Sequence, residues 1–353
     1  MPTKQQLAMF AAKMQGKYGE AKIATEPPAV IVPTGVLSLD WALRVGGWQN
    51  GRIYEVVGPK DAGKSLTGIL AMVQHRKAFP DRAVGYVNIE GTFDPAWAAL
   101  NGLDCSDAAL KAGTWLPMIA DTSEEASDMA RDAISSGMLS CLVLDSVGGM
   151  ESAKVLGIEA IKDTMGKNAQ VITKLTKALA GLGRKHQCTT ILINQPRANM
   201  SGFGGDISAG PKAMSHSTTA QIKMSAAGGE NDVRTAPYFG ESEKIGNRVR
   251  AHIPRMKNGA PGRRAEWFIM NRETNTFGPA GVDLADDAVA LGVRLKVIEQ
   301  QGGGYYQLPG GRRVRGRVSV GKLLREDPEA MAAVREALLF DKPVEDPTEQ
   351  ETA

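Results

Sequence analysis

Residues 58–65 read Gly-Pro-Lys-Asp-Ala-Gly-Lys-Ser and fit the spacing GxxxxGK[ST] of a phosphate-binding loop. In this pattern Gly58 and Gly63 let the backbone N–H groups face a polyphosphate, which the N-terminus of the following helix also attracts. Lys64 can hold the β and γ phosphates, and the hydroxyl of Ser65 can ligate Mg²⁺. The residues predicted to surround the phosphates are Gly58, Pro59, Lys60, Asp61, Ala62, Gly63, Lys64, Ser65 and Leu66.

Two carboxylates at the ends of other apolar segments can supply the remaining chemistry of triphosphate hydrolysis. The run Cys141-Leu-Val-Leu-Asp145 ends in an acid, and Asp145 is predicted to hold the water shell of the metal ion. Glu90 follows the segment 84–89 and is the candidate base that orients or deprotonates the attacking water. The alternative for Glu90 is a strand-end glutamate in a surface ion pair.

Short apolar segments that alternate with helical patterns must position these side chains. The predicted strands are Ile53–Val57, Val84–Ile89, Cys141–Leu144 and Thr189–Ile193, and a helix is expected over Ser65–His75. Parallel strands need long crossover connections, which are usually helices. The sequence therefore predicts an α/β fold with a mainly parallel sheet flanked by helices, and ligands at the carboxyl edge of that sheet.

The two ends of the chain differ in character from this central region. Residues 4–22 carry Leu7, Phe10, Ala11 and Met14 at helical spacing, which predicts an amphipathic helix before a proline-containing linker. Helical patterns recur over Asp286–Glu299 and Pro328–Leu339. The predicted organisation is an N-terminal oligomerisation helix and linker (1–30), a nucleotide-hydrolysing core (31–271), a small α/β C-terminal domain (272–340) and an acidic disordered tail (341–353).

Composition excludes several classes of protein. With 353 residues, 42% hydrophobic and 23% charged, the chain is long and apolar enough to fold, so disorder is not expected to dominate. No apolar run reaches membrane-spanning length and the start lacks a signal peptide, so a cytoplasmic protein without membrane contact is expected. Three distant cysteines exclude a disulfide framework and a zinc site, and are predicted to be core residues.

The order of these motifs resembles the bacterial RecA recombinase family over nearly the whole chain. The segments that carry the resemblance are Pro33-Thr-Gly-Val-Leu-Ser-Leu-Asp40, Gly51-Arg-Ile, the phosphate loop, Ile89-Glu90, Phe93-Asp-Pro95, Asp145-Ser-Val147, Asn194-Gln195-Pro-Arg197, Ala265-Glu-Trp267 and Val282-Asp-Leu. The resemblance implies a RecA-like fold and a DNA-dependent ATPase, with ATP and Mg²⁺ as cofactors. It also implies helical filaments on single-stranded DNA and strand exchange with homologous double-stranded DNA.

The same resemblance implies a biological setting and further partners. These are recombination, DNA repair and the SOS response to DNA damage, in a bacterial cytoplasm that includes that of a phage-infected host. Single-strand-binding and loader proteins are further partners that it implies.

The resemblance assigns catalytic roles to five residues. Glu90 becomes the water-activating carboxylate, and Gln195 the sensor of the γ-phosphate. Arg255 and Lys257 match a pair of lysines that reach the ATP of the neighbouring protomer, with a solvated strand face as the alternative. The implied catalytic residues are Glu90, Lys64, Gln195, Arg255 and Lys257.

The implied ligand contacts extend beyond the phosphates. Asp94 and Trp97 match positions that hold adenine, where an indole can stack. Loops near 157–166 and 198–211 are expected to bind single-stranded DNA, with simple packing as the alternative for their apolar residues. The implied DNA contacts are Met165, Gly166, Arg197, Met200 and Phe203 in these loops, and Arg312, Arg313, Arg315 and Arg317 in a duplex-binding patch that also contains Lys322 and Arg325. A solvated basic face is the alternative for the patch.

The chain also departs from the family pattern. Ser215-His216 stands where a Lys-Phe pair links the ATP state to the neighbouring subunit, and Asn271 replaces a tyrosine near the adenine. These changes are typical of a diverged or phage-encoded member and put allosteric coupling in doubt. Two other functions stay open: a ring-forming RecA-fold motor such as a helicase, against which the small C-terminal domain argues, and a DNA-coating scaffold with a decayed ATPase, against which Glu90 and Lys64 argue.

Overall fold

The structure is a computed structural model that describes residues 4–18, 29–147, 161–197, 207–208, 212–238, 241–271 and 279–340. The chain divides into two compact units, Met1–Val30 and Ile31–Ala353. The first unit contains helix α1 (Lys4–Tyr18), so the predicted N-terminal helix is present. On this helix Met9 and Phe10 are 68% and 60% exposed. Among the described residues, no helix combines the length and the apolar character needed to cross a bilayer.

The second unit contains the remaining helices and the strands. Its helices are α2 (Leu37–Ala42), α3 (Lys64–Ala78), α4 (Pro95–Leu100), α5 (Asp107–Lys111), α6 (Ser123–Ser135), α7 (Ile161–His186), α8 (Lys212–Ser217), α9 (Leu284–Arg294), α10 (Arg317–Glu326) and α11 (Pro328–Phe340). Its strands are β1 (Ile31–Val32), β2 (Trp48–Gln49), β3 (Ile53–Val57), β4 (Ala83–Asn88), β5 (Trp115–Ile119), β6 (Leu139–Asp145), β7 (Thr189–Asn194), β8 (Pro196–Arg197), β9 (Ile207–Ser208), β10 (Ala220–Ala226), β11 (Val233–Tyr238), β12 (Glu241–Met256), β13 (Arg264–Met270), β14 (Gly281–Val282), β15 (Glu299–Gln301), β16 (Tyr305–Gln307) and β17 (Arg313–Arg315).

One large mixed sheet organises this unit. Its strand order is β14-β13-β12-β10-β3-β7-β6-β4-β5, with β11 paired to β12. The strands from β10 to β5 run parallel, whereas β12, β13 and β14 pair antiparallel. The predicted α/β fold with a mainly parallel sheet is confirmed, and the antiparallel extension adds a second half that the apolar segments did not reveal.

The central strands are buried on both faces, as parallel strands between helical layers must be. Every residue of β3, β6 and β7 is buried. On one face Tyr54 and Val56 join the larger core, and on the other Leu142 and Leu144 pack in the cluster that includes residues of α6 and α7. Two of the cysteines predicted to lie in the core, Cys141 and Cys188, are buried, while Cys105 is only half-buried.

The segment expected to be helical over Asp286–Glu299 is shorter in the structure. Helix α9 begins after Asp283, whose side chain accepts a hydrogen bond of 3.2 Å from the Asp286 N–H and so caps the helix. It ends at Arg294, because Lys296 adopts a left-handed φ of +59° that cannot continue a right-handed helix. Glu299 already belongs to strand β15. The prediction was therefore wrong over the last residues of this segment.

Asp283 is also the centre of a buried ion cluster. Its side chain is 2% exposed and forms ion pairs with Arg234 of β11 and Arg325 of α10, the latter at 2.9 Å. This bond ties the C-terminal helices to the sheet. Arg325, which the sequence placed in the basic patch, is therefore bound to an internal carboxylate.

Asp283→Asn is expected to lower the free energy of unfolding by about 3 kcal/mol, because Arg325 loses its counter-ion and Arg234 keeps its ion pair with Asp286 but loses that with Asp283. Urea denaturation measures the change. The matched control is Asp128→Asn, since the ion pair of Asp128 with Arg131 is exposed, at 72% and 53%, and its loss should cost less than about 1 kcal/mol. Equal effects of the two substitutions would contradict the assignment.

Two buried carboxyl groups lie where α2 meets α9. The Asp40 and Asp287 side chains accept hydrogen bonds from the Thr34 N–H (2.6 Å) and the Ser38 N–H (3.3 Å), respectively. Each has a second oxygen with no hydrogen-bond partner among the described residues. Burial raises the pKa of Asp40 to about 8 and that of Asp287 to about 7. Both groups therefore hold a proton more tightly in the folded chain than in the unfolded chain.

The free energy of unfolding should consequently fall as the pH rises from about 5 to about 8, since the folded state binds more protons than the unfolded state across that window. Asp287→Asn should flatten this dependence and raise stability most at the upper end of the range. Urea denaturation at both pH values measures it. Asp132→Asn, at an exposed position of α6, is the control and should leave the slope unchanged.

Candidate nucleotide-binding site

The phosphate-binding loop joins the carboxyl end of β3 to the start of α3. A Cβ at Gly58 would come within 2.5 Å of the Met224 carbonyl oxygen. Gly63 has a φ of +82°, and a Cβ there would lie 2.5 Å from Ile269 Cδ1. The loop is therefore wound so tightly against β10 and β13 that only glycine fits at these positions. This winding leads directly into the N-terminus of α3, which suits an anion.

Lys64 is the first residue of α3 and is 9% exposed. Its ammonium group donates a hydrogen bond of 2.7 Å to the Pro59 carbonyl, so the side chain lies back over the loop. Burial lowers the pKa of Lys64, and the carboxylates of Asp145, Glu90 and Asp61 partly oppose that shift. The remaining predicted loop residues divide by exposure: Pro59, Lys60 and Asp61 are exposed, while Ala62 and Leu66 are buried.

Ser65 and Asp145 meet although they are 80 residues apart in sequence. The Ser65 hydroxyl donates to Asp145 Oδ2 at 2.6 Å, and the Tyr86 hydroxyl donates to the same oxygen at 2.6 Å. Burial raises the pKa of Asp145, and these two hydrogen bonds oppose the shift. Hydroxyl and carboxylate oxygens are ligands that Mg²⁺ accepts, directly or through water, so this oxygen set fits the predicted ion.

Glu90 and Gln195 come together from the ends of β4 and β7. Gln195 Nε2 donates to Glu90 Oε1 at 2.8 Å, and the Ser146 hydroxyl donates to the same oxygen. These bonds place Glu90 inside a polar cluster at the carboxyl edge of the sheet, next to the strand that ends in Asp145. Ser146 directly follows Asp145, which accepts the Ser65 hydroxyl, so this cluster adjoins the phosphate loop.

Asp94 and Trp97 lie at the start of α4. The Asp94 side chain caps this helix by accepting hydrogen bonds from the N–H groups of Ala96 (2.9 Å) and Trp97 (3.1 Å). The Trp97 ring is half-buried and packs against the main core. Both side chains therefore have structural contacts, and their contribution to adenine binding stays a prediction.

The charged groups of Arg255 and Lys257 lie towards the end of the parallel strands that is opposite the phosphate loop of the same chain. Arg255 lies opposite Gln221, which in turn pairs with Glu55 of β3. The Lys257 N–H donates to the Thr219 carbonyl at 2.8 Å, at the level where β3 begins. Since a residue of a strand advances the chain by about 3.3 Å, Lys257 lies on the order of 15 Å from the loop that follows β3.

These two cations are held by backbone groups. Arg255 donates to the Thr218 carbonyl at 3.2 Å and to the Thr218 hydroxyl, and the Lys257 ammonium donates to the His216 carbonyl. Burial lowers the pKa of Lys257, and the nearby Arg255 and Arg52 lower it further. A cavity of about 430 Å³ opens beside Lys257 and is lined also by Arg52, Arg184 and His216. This end of the strands therefore concentrates positive charge.

Two of the five residues predicted to contact single-stranded DNA, Met200 and Phe203, lie outside the described residues, as does most of the loop near 198–211. Arg197 lies in β8, which pairs with β9 inside that loop. Met165 and Gly166 lie in helix α7, so residues 161–166 extend the helix instead of the loop expected there.

The predicted basic patch is partly neutralised in the structure. Arg312 forms an ion pair of 2.7 Å with Asp327, and Arg317 lies 3.7 Å from Asp286. Lys322 lies 3.8 Å from Glu326. The strands β15, β16 and β17 form a separate sheet in which Tyr305 pairs with Arg315. The Arg313 guanidinium lies 5.1 Å from the centre of the Tyr305 ring. Arg313, Arg315 and Tyr305 therefore form an exposed face of two cations and an aromatic ring.

Sequence reasoning missed three polar residues that the structure places at or beside the site. Tyr86 and Ser146 bond to Asp145 and Glu90, and nothing in their local sequence indicates these partners. Glu55 did carry a signal, because it is a charged residue in the middle of an otherwise apolar strand. It is 1% exposed and contacts Asn194 and Gln221.

Comparison with known proteins identifies the family to which this chain belongs. The family model described as the RecA N-terminal domain matches residues 9–275. The protein RecA of Salinispora arenicola is 26% identical over 341 residues, which cover 94% of this chain and 90% of the relative. The protein RecA of Oceanobacillus iheyensis is 24% identical over 360 residues, covering 99% and 97%. That of Saccharopolyspora erythraea is 27% identical over 331 residues, covering 92% and 88%.

Proposed function

Because this chain belongs to the RecA family, we propose that it is a DNA-dependent ATPase and homologous recombinase that forms helical filaments on single-stranded DNA. In this proposal the filament pairs its strand with homologous double-stranded DNA and exchanges strands, during recombination and repair in the cytoplasm. The observation that carries the proposal is the separation of two half-sites: the phosphate loop with its carboxylates at one end of the parallel strands, and Arg255 with Lys257 towards the other.

The first half-site is suited to bind ATP. The N–H groups of residues 58–66 would hold the phosphates, Lys64 would contact the β and γ phosphates, and Ser65 and Asp145 would hold Mg²⁺, the latter through water. Bound Mg²⁺ supplies charge neutralisation at the phosphate oxygens. Asp94 and Trp97 provide a polar group and an indole beside the adenine.

Glu90 is the general base of the proposed reaction. Its carboxylate takes a proton from the attacking water, which requires the charged form in hydrogen-bond reach of that water. Gln195 already donates to Glu90 at 2.8 Å and can exchange this bond for one to the γ-phosphate. Because Gln195 is followed directly by β8, such an exchange reaches the DNA-binding loop.

Arg255 and Lys257 complete the active site of a neighbouring protomer. A head-to-tail contact brings Arg255 and Lys257 of one chain onto the phosphate loop of the next, and such a contact builds an open helix if it does not close into a ring. Cations from the neighbour stabilise the charge of the transition state, so hydrolysis depends on assembly.

The proposed DNA contacts follow the two kinds of surface that nucleic acids need. Single-stranded DNA binds the loops near 157–166 and 198–211, through cations and apolar or aromatic inserts. Duplex DNA binds the exposed face of Arg313, Arg315 and Tyr305, with Arg312 and Arg317 at its margin, by counterion release. The helix in residues 1–30 joins protomers, and the acidic tail (341–353) competes with DNA for the basic face.

Steady-state ATP hydrolysis with and without single-stranded DNA, together with electron microscopy, tests the proposal. Strong stimulation by DNA, with helical filaments, is the expected result, and Lys64→Ala should remove the activity. Closed hexameric rings that unwind forks would favour a ring-forming motor. Equally slow turnover with and without DNA would favour a scaffold with a decayed ATPase.

A further inference from the structure

Glu55 is a carboxylate at the centre of the sheet. It lies in the middle of β3, between β7 and β10, and is 1% exposed. A buried carboxylate is costly unless hydrogen-bond donors satisfy its oxygens. The partners of Glu55 therefore decide what this position does.

One carboxylate oxygen of Glu55 bonds to the last residue of β7, the strand that leads to Gln195. Oε1 accepts a hydrogen bond of 2.9 Å from the side-chain amide of Asn194. The side-chain oxygen of Asn194 accepts a bond of 2.9 Å from the Gln195 N–H. Gln195 is thus connected to Glu55 through a single intervening side chain.

The other carboxylate oxygen of Glu55 bonds to β10, the strand that pairs with β12 and Arg255. Oε2 accepts a hydrogen bond of 2.8 Å from Gln221 Nε2, and Gln221 lies directly opposite Arg255 in the pairing of β10 with β12. Burial lowers the pKa of Arg255, and the charge of Glu55 opposes that shift. Because Glu55, Gln221 and Arg255 lie in register on neighbouring strands, the carboxylate and the guanidinium are on the same face of the sheet with one strand between them.

We propose that Glu55 is a positioning residue that couples the state of a protomer's own nucleotide, sensed by Gln195, to Arg255, which acts on the nucleotide of the neighbour. The inference rests on the proposed function. When the Gln195 side chain exchanges Glu90 for the γ-phosphate, the backbone N–H of Gln195 moves with it and shifts the Asn194 side chain. The hydrogen bond from Asn194 to Glu55 then displaces the carboxylate, and with it Gln221 and Arg255. Buried polar groups carry such a signal because an unsatisfied one costs free energy, so the chain of bonds changes together.

The geometry also supplies a route that bypasses residues 215–216. In this chain those positions hold Ser215-His216, where the family pattern has the pair that links ATP to the neighbouring subunit. The connection through Glu55 runs inside the sheet, between strands β7, β3, β10 and β12. Communication between protomers therefore does not require the missing pair.

Glu55→Gln tests the coupling with little change in volume. Glutamine replaces one of the two carboxylate oxygens by an NH2 donor, so Asn194 and Gln221, which bond to different oxygens, cannot both keep their acceptor. We expect the DNA-stimulated kcat to fall about tenfold and the Hill coefficient for ATP to approach about 1. The affinity for a fluorescent ATP analogue should stay within about twofold of the wild type, because the phosphate loop is intact.

A compensating variant separates coupling from general damage. In Glu55→Gln/Asn194→Asp the amide at position 55 donates to the carboxylate at 194, which still accepts the Gln195 N–H, while the oxygen at 55 still accepts from Gln221. This double variant should recover about half of the DNA-stimulated rate and the cooperativity. Glu266→Gln, on the exposed glutamate of β13, is the matched control and should change neither.

The outcomes distinguish this inference from the function on which it rests. If wild-type protein shows no stimulation by DNA, the proposed function fails and the coupling fails with it. If the wild type is stimulated and Glu55→Gln keeps its kcat and Hill coefficient, the coupling alone is overturned, as it is if the double variant gives no rescue. Should Glu55→Gln not fold, Gln221→Ala must abolish cooperativity while ATP-analogue binding persists, and retained cooperativity overturns the inference.

Discussion

Glu90→Gln is expected to lower DNA-stimulated ATP turnover by about 10²- to 10⁴-fold, because an amide cannot accept the proton of the attacking water. The substitution preserves size, and Gln195 and Ser146 still have an oxygen to which they can donate. ATP binding should therefore survive. Steady-state hydrolysis measures the turnover, and equilibrium titration with a fluorescent ATP analogue measures the binding.

The matched control is Glu336→Gln, at an exposed position of α11, which should turn over ATP at the wild-type rate. If Glu90→Gln also kept the wild-type rate, Glu90 would not be the base. The alternative of a strand-end glutamate with a structural role would then be preferred.

The second large effect is expected from the cations Arg255 and Lys257. The double substitution Arg255→Ala/Lys257→Ala should lower turnover by about 10³-fold, the scale of a cation supplied to phosphoryl transfer by a neighbour. Binding of ATP to the phosphate loop of the same chain should persist, because the two cations lie across the sheet from that loop. Turnover and nucleotide binding, measured on the same preparation, report the two effects separately.

Mixing inactive variants shows whether the site is shared. In an equimolar mixture of this double variant with Glu90→Gln, about a quarter of the contacts combine an intact Glu90 with intact cations, so about a quarter of the wild-type rate should return. A mixture of Glu90→Gln with Lys64→Ala is the control. Both of its defects lie on the same side of the contact, so no activity should return. Failure of the first mixture to recover would place the cations outside the neighbour's site.

The sequence predicted four of the six parallel strands, β3, β4, β6 and β7, but neither β5 nor β10. The predicted strand Ile53–Val57 has the bounds of β3, because a strand covered by helices on both faces is a continuous apolar run between polar ends. The phosphate loop was equally recognisable, since its glycines, lysine and serine follow one another at a fixed local spacing. The positions of Asp145 and Glu90 followed from the rule that parallel strands end at a common edge.

The remaining features depend on contacts that no local pattern contains. The left-handed φ of Lys296, which ends α9, is not visible in its residue type. Arg325 looked like a surface cation until Asp283, 42 residues earlier, proved to be its partner. The contacts of Glu55 with Asn194 and Gln221 span 139 and 166 residues. Such contacts can be predicted only when the strand order is known.

The placement of the phosphate loop and of Lys257 towards opposite ends of the parallel strands gives each protomer a direction. A head-to-tail polymer built from it has two unlike ends. In such a polymer one terminal protomer holds a nucleotide with no neighbour to supply cations, and the other presents cations with no nucleotide to act on. If the chain assembles as proposed, turnover should stop at one end and continue in the interior, so the two ends should gain and lose subunits at different rates.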